Sequence, residues 1–198
     1  MRVSDDRYSR DRLRLDLALR FIHLEARTQS IRTWTGLTDD RIRKLFRSYI
    51  REPRRISRPR GRSPQQAMFF MRSPRLQQET AVLASLCCLL GVLPRRASAQ
   101  SAAQPGVAQG VVLCQAYEAY RALVPQGHIS FEHAIFLVRA LGSGEELAVG
   151  SCAGCAALVV VERMLLSEPR CRDCASTPMI YIASRHRSRL AAEVSGPR

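Results

Sequence analysis

Residues 151–174, SCAGCAALVVVERMLLSEPRCRDC, contain two C-x2-C pairs, Cys152/Cys155 and Cys171/Cys174, with fifteen residues between them. Two residues between cysteines let both sulfurs of a tight turn face one point. A second such turn completes a tetrahedron. Thiolate is the soft ligand that zinc prefers, and four of them close its coordination sphere. The flanks suit a small sheet. Residues 147–151 read as a strand entering the first turn, residues 157–161 are β-prone, and residues 179–183 (MIYIA) offer a third strand. The expectation is a zinc ribbon holding one structural Zn2+ through Cys152, Cys155, Cys171 and Cys174.

Two other chemistries use the same residue type. A thioredoxin-type redox site needs one C-x-x-C at a helix start inside an α/β fold, and nothing here supplies that fold. A catalytic zinc keeps an open position beside histidine or carboxylate ligands. No histidine lies between Ser151 and Cys174, and Glu162, Glu168 and Asp173 have no constellation around them.

Upstream of the ribbon the apolar residues fall at helical spacing. Residues 12–26 place Leu13, Leu17, Phe21 and Leu24 on one face, widened by Leu15, Leu19 and Ile22. His23 sits among them without a second ligand and is expected to be an ordinary packed or surface histidine. Residues 28–50, TQSIRTWTGLTDDRIRKLFRSYI, break at Gly36 and restart at Thr38, which has the chemistry of an N-cap. Asp39 and Asp40 then put negative charge in the first turn, where the helix dipole favours it. Ile42, Leu45, Phe46 and Tyr49 would face inward and Arg41, Arg43, Lys44 and Arg47 outward. A short helix, a glycine turn and a second helix with a basic outer face form a helix-turn-helix pattern. Arg32 departs from it, standing where a small residue would let the helices approach.

Residues 51–64 hold six arginines, three prolines and a glycine and cannot form a core. They are expected to be a flexible basic arm, with Arg54, Arg55, Arg58, Arg60 and Arg62 joining the helix face in DNA binding. Helices are expected over residues 77–93, 111–123 and 131–141, separated by a loop at 94–110. Cys87, Cys88 and Cys114 lie within these apolar faces and are expected in the core. The whole reads as mainly α. A helical DNA-binding and partner-binding domain would occupy residues 1–145, the ribbon 146–184, and a basic flexible tail 185–198.

The chain carries a net charge of +14, and all but one of its basic residues are arginine. Residues 1–75 contain 20 basic and 8 acidic side chains, whereas residues 76–198 contain 11 and 9. Genome composition can replace lysine by arginine but does not create that asymmetry, which points to a polyanion partner. The most apolar stretch, residues 81–93, is too short to span a bilayer, which takes about 20 residues. The N-terminus lacks the apolar core of a secretory signal, and seven cysteines are an odd number for a disulfide framework. A cytoplasmic location with reduced thiols is expected. No phosphate-binding glycine loop, dinucleotide fingerprint or nucleophile elbow is present, and no enzymatic activity is expected.

Taken in order, GLTDDRIRKLFRSY (36–49), SPQQAMFF (63–70), AYEAYRAL (116–123), AIFLVRAL (134–141), CAGC and CRDC resemble the FlhC family of flagellar transcriptional activators over roughly residues 13–178. The resemblance implies a bacterial cytoplasmic protein in a heterohexamer of four FlhD and two FlhC subunits. Such a complex binds double-stranded promoter DNA and helps recruit RNA polymerase. The family's four zinc-binding cysteines correspond to Cys152, Cys155, Cys171 and Cys174. The arginine-dense arm, the loop at 94–110 and the tail after residue 183 depart from the family, so a paralogous regulator of non-flagellar genes remains an alternative. A zinc-ribbon adaptor between proteins is another, and an RNA-binding protein a third. The last is weakened by a basic arm without aromatic residues to stack on bases.

Overall fold

The computed structural model describes residues 2–50, 61, 63–94 and 105–176, with side chains from residue 7 onward. Helix α1 (Arg2–His23) is followed by α2 (Thr28–Thr35) and α3 (Asp39–Tyr49). A 3-10 turn (Ala67–Met71) leads into α4 (Pro74–Leu89), then α5 (Val107–Leu123) and α6 (Phe131–Ser143). Strands β1 (Leu147–Ser151) and β2 (Leu158–Glu162) form an antiparallel hairpin in which Val149 pairs with Val160, and α7 (Arg172–Ser176) follows. The fold is mainly α with a small cysteine-bearing ribbon, as the patterning anticipates. The proposed third strand at 179–183 and the tail lie outside the described residues.

One apolar core runs through the helices and reaches the hairpin. Leu17, Phe21, Ile31, Leu83, Leu113, Phe131 and Leu137 are buried together, and Leu147 and Val160 join them from β1 and β2. Phe21 meets Phe131 edge-on with ring centroids 4.9 Å apart, and Tyr117 lies 5.1 Å from the same ring. Helix α5 packs closely on α1 and α2 at Gly110. A Cβ there would stand 2.7 Å from a Leu17 methyl and 3.3 Å from the Trp34 ring, so only glycine lets α5 lie this near α1 and α2. Cys87, Cys88 and Cys114 are buried as expected, and burial pushes the Cys87 and Cys114 thiols up to about 12.

Several boundaries fall where capping chemistry puts them. Ser73 caps α4 by accepting from the Leu76 N–H at 3.3 Å with Pro74 in the first turn, so α4 begins three residues before the expected position 77. Helix α5 begins at Val107 rather than near 111, because Gly110 packs inside the helix instead of ending a loop. Ser130 caps α6, and Gly144 closes it at φ 63°. Leu13 departs from its expected inward position and is 55% exposed.

Two buried carboxylates, Glu79 and Glu132, accept hydrogen bonds from other elements. Glu79 on α4 is buried and accepts from the Tyr120 hydroxyl at 2.9 Å and the His128 N–H at 2.7 Å. His128 Nδ1 and Arg75 Nε each lie 3.1 Å from its other oxygen. Glu132 of α6 accepts from the Arg27 N–H at 2.7 Å and so caps α2 from a distant part of the chain.

Candidate metal centre and basic face

The hairpin delivers the first cysteine pair. Cys152 follows β1 directly and is buried, and its N–H donates to the Ala157 carbonyl at 2.8 Å. The Ala156 N–H returns to the Cys152 carbonyl at 2.8 Å, with Ala156 itself at φ 60°, closing the tight turn that two intervening residues permit. The second pair is brought back by the strap at 163–170. Its ends are tied by Arg163 N–H to Glu146 O at 2.9 Å and by Ala153 N–H to Pro169 O at 2.8 Å. Cys171 then precedes α7, and Cys174 lies within it.

The result is one cluster of free thiols. The sulfurs of Cys152, Cys155, Cys171 and Cys174 all lie within 4.8 Å of one another, and those of Cys155 and Cys171 are 3.6 Å apart. A tetrahedron with metal–sulfur bonds of about 2.3 Å has edges of about 3.8 Å, so the cluster has the dimensions of a four-thiolate metal site. The backbone is arranged for anionic sulfur. Cys152 Sγ accepts N–H groups from Cys171 at 3.2 Å and Gly154 at 3.4 Å, and Cys171 Sγ accepts from Cys174 at 3.5 Å. Burial raises the Cys152 thiol, but the N–H groups of Cys171, Gly154 and Cys155 outweigh it and hold it at about 6. Cys174, hydrogen-bonded to Cys171 and Cys155, is pushed up to about 12. Four crowded sulfurs cannot all ionise without a cation among them, and a dication relieves that conflict. These four cysteines form a metal-binding site.

No protein-family model matches the chain, and no curated protein matches it.

The basic face lies on α3. Gly36 ends α2 at φ 70°, its N–H donating to Arg32 O at 2.8 Å, and Leu37 packs into the core after it. Thr38 Oγ1 accepts from the Arg41 N–H at 3.4 Å, placing Asp39 and Asp40 in the first turn of α3. Ile42 and Leu45 are buried against α1 and α2, Phe46 is half-buried, and Arg41, Arg43, Lys44 and Arg47 are exposed on the other side. Tyr49, expected inward, is 62% exposed, and Ile50 is buried in its place. Arg32 also resolves: it projects to solvent, bonded to Gln29 and 3.9 Å from Asp39, and so does not obstruct helix packing. Arg54, Arg55, Arg58, Arg60 and Arg62 lie outside the described residues. His23 is exposed and is not among the residues of the metal-binding cluster.

Two features escape the sequence patterns. Asp11 of α1 reaches across to Arg41 at 3.8 Å, so α1 borders the basic face. On the ribbon, Met164, Leu165 and Leu166 are exposed on the strap between the cysteine pairs, Leu166 fully so. Three consecutive apolar residues after a strand do show in the sequence, but they equally suit a buried strand end. No helix among the described residues is long and apolar enough to cross a membrane.

Proposed function

We propose that this protein is a DNA-binding transcriptional activator of the FlhC type. It would act with an FlhD-type partner subunit on flagellar or related promoters and promote transcription by RNA polymerase in the cytoplasm, without catalysis of its own. The observation that carries this reading is the two-sided character of α3. Its apolar side is sealed against α1 and α2, its start is capped at Thr38, and its solvent side presents Arg41, Arg43, Lys44 and Arg47 just before the arginine-rich arm. Arginine suits phosphates and guanine edges through its planar, bidentate fork.

The ion in the four-cysteine site is, in this reading, a structural Zn2+. Four sulfur donors leave no open position for chemistry, and the ribbon buries too little apolar surface to fold without its metal. A second reading, a zinc-ribbon adaptor between proteins, is favoured by the exposed Met164, Leu165 and Leu166.

Fluorescence anisotropy tests the choice, using labelled flagellar-promoter and scrambled duplexes over a range of salt, with and without the FlhD-type partner. The activator reading expects tight binding to promoter only, dependent on the partner. In that complex Arg43→Ala with Lys44→Ala should weaken binding roughly tenfold and flatten the salt slope by about one to two units. Equal, steeply salt-dependent binding to both duplexes would replace it with the adaptor reading.

A further inference from the structure

Helix α1 is twice as long as the core requires. Among its described side chains the first packed against the core is Leu15 and the first buried is Leu17, so the helix from Arg2 to Arg14 extends about 20 Å beyond the apolar core. The buried side of α1 is the stripe Leu17, Ala18, Phe21, Ile22. Continued backward at the same three- and four-residue steps, that stripe becomes Arg14, Asp11, Arg10 and Arg7. The side that looks toward the core in the second half of the helix is therefore basic in the first half. Its arginines Arg7, Arg10 and Arg14 are exposed.

This overhang lies beside α3. Asp11 Oδ2 is 3.8 Å from Arg41 of α3, and Asp11 Oδ1 is 3.7 Å from Arg14 of α1. One carboxylate thus stands between arginines of two helices at distances longer than a direct charged hydrogen bond, with all three side chains about half exposed. Exposed pairs of this kind add little stability. Their geometry instead brings two arginines from different elements around a single anion.

We infer that the inward stripe of the α1 overhang, through Arg7 and Arg14, is a second wall of the duplex-binding face, contacting the phosphate backbone beside α3. Asp11 acts as a resident counter-anion that a DNA phosphate displaces. The inference rests on the reading of α3 as a DNA-binding element and extends it to a helix outside the helix-turn-helix. Phosphate contacts of this sort set register and affinity and carry no base information. The stripe therefore contributes to promoter and scrambled duplex alike. Asp11 lowers both affinities by competing for the same arginines.

The test uses the full chain, alone and with the FlhD-type partner, and labelled duplexes of promoter and scrambled sequence. Arg7→Ala with Arg14→Ala should reduce affinity for both duplexes by a similar factor and flatten each salt slope by about one to two units. Asp11→Asn should do the reverse, tightening both several-fold. A pair on α5 and α6, Arg121→Ala with Arg139→Ala, removes equal charge and should change neither by more than a small factor. Circular dichroism melts of every variant check that the helices persist, as expected for exposed positions. If the α1 pair leaves affinity and slope unchanged while the α3 pair weakens them, this inference falls and the α3 reading stands. If the control pair weakens binding as much as the α1 pair, only net charge is involved and the inference is again overturned. If the unaltered chain binds neither duplex under either condition, both fall together.

Discussion

Cys152 differs from its three partners at the scale of single residues. It alone of the four is buried, and the backbone N–H groups that point at its sulfur include that of Gly154 within its own turn and that of Cys171 of the opposite pair. The second of these links the two halves of the site before any ion is considered. Serine at this position keeps the size but loses the soft, ionisable donor. Cys152→Ser is expected to release the bound metal and to lower the melting temperature by loosening the ribbon from α4 and α6. Metal analysis by mass spectrometry and a thermal melt check this, and full metal content with unchanged melting would contradict it. A Cys174→Ser chain should also lose metal. Its sulfur lies within 4.8 Å of the other three, so the melting temperature should fall as well.

Helix α3 depends at the element scale on a short run of local chemistry. Gly36 takes a left-handed conformation that ends α2, Leu37 anchors the turn in the core, and Thr38 accepts the Arg41 N–H. Thr35 strengthens the corner, its hydroxyl donating to Ile31 O at 2.6 Å while accepting the Leu37 N–H at 3.2 Å. The Thr38 bond is long, so Thr38→Ala should cost about 0.5–1 kcal/mol, near the lower end for an N-cap. Thr38→Asp should retain most of it. Chemical denaturation of the three chains checks the order, and alanine equal to the parent would show that Leu37 packing alone sets the start of α3. Gly36→Ala has a different origin: nothing crowds a Cβ at this position, so its cost comes from the positive φ.

The Glu79 network ties separate parts of the fold together at the scale of the whole molecule. Its partners come from the first turn of α4, the end of α5 and the loop before α6. Burial raises the Glu79 carboxyl, but His128, through its ring and its N–H, with Tyr120 and Arg75, brings it down to about 2 from an ordinary 4.5. A carboxylate depressed in the folded state stabilises fully above its unfolded value and loses that contribution as pH falls through the folded one. The network should therefore contribute on the order of 2–3 kcal/mol above about pH 4.5, lost progressively toward pH 2. Denaturation midpoints of the parent and Glu79→Gln, compared across that window, test this. The parent should lose its advantage on acidification, and metal release, common to both chains, cancels in the difference. A gap independent of pH would mean that Glu79 acts through packing rather than charge.

The metal ligands and the basic helix were legible in the sequence because both rest on short-range spacing. Two residues between cysteines define a turn whatever surrounds it, and glycine, threonine and two aspartates mark the start of α3 by local hydrogen bonding and charge. The same locality explains the misplacements. Tyr49 has the periodicity of the inward stripe, yet the core ends at Leu45 and Ile50, and a helical period does not say where neighbouring helices stop. Leu13 is exposed for the same reason, since α1 continues beyond the body that covers Leu17. Gly110 reads as a loop residue in the sequence because its use depends on Leu17 and Trp34, far away in the chain. The sequence by itself determined which residues bind metal and which helix is basic. Only the tertiary structure decided that Asp11 meets Arg41, that Glu79 is buried among Tyr120 and His128, and that α1 overhangs the basic face, because each requires surfaces far apart along the chain to be brought together by the shared core.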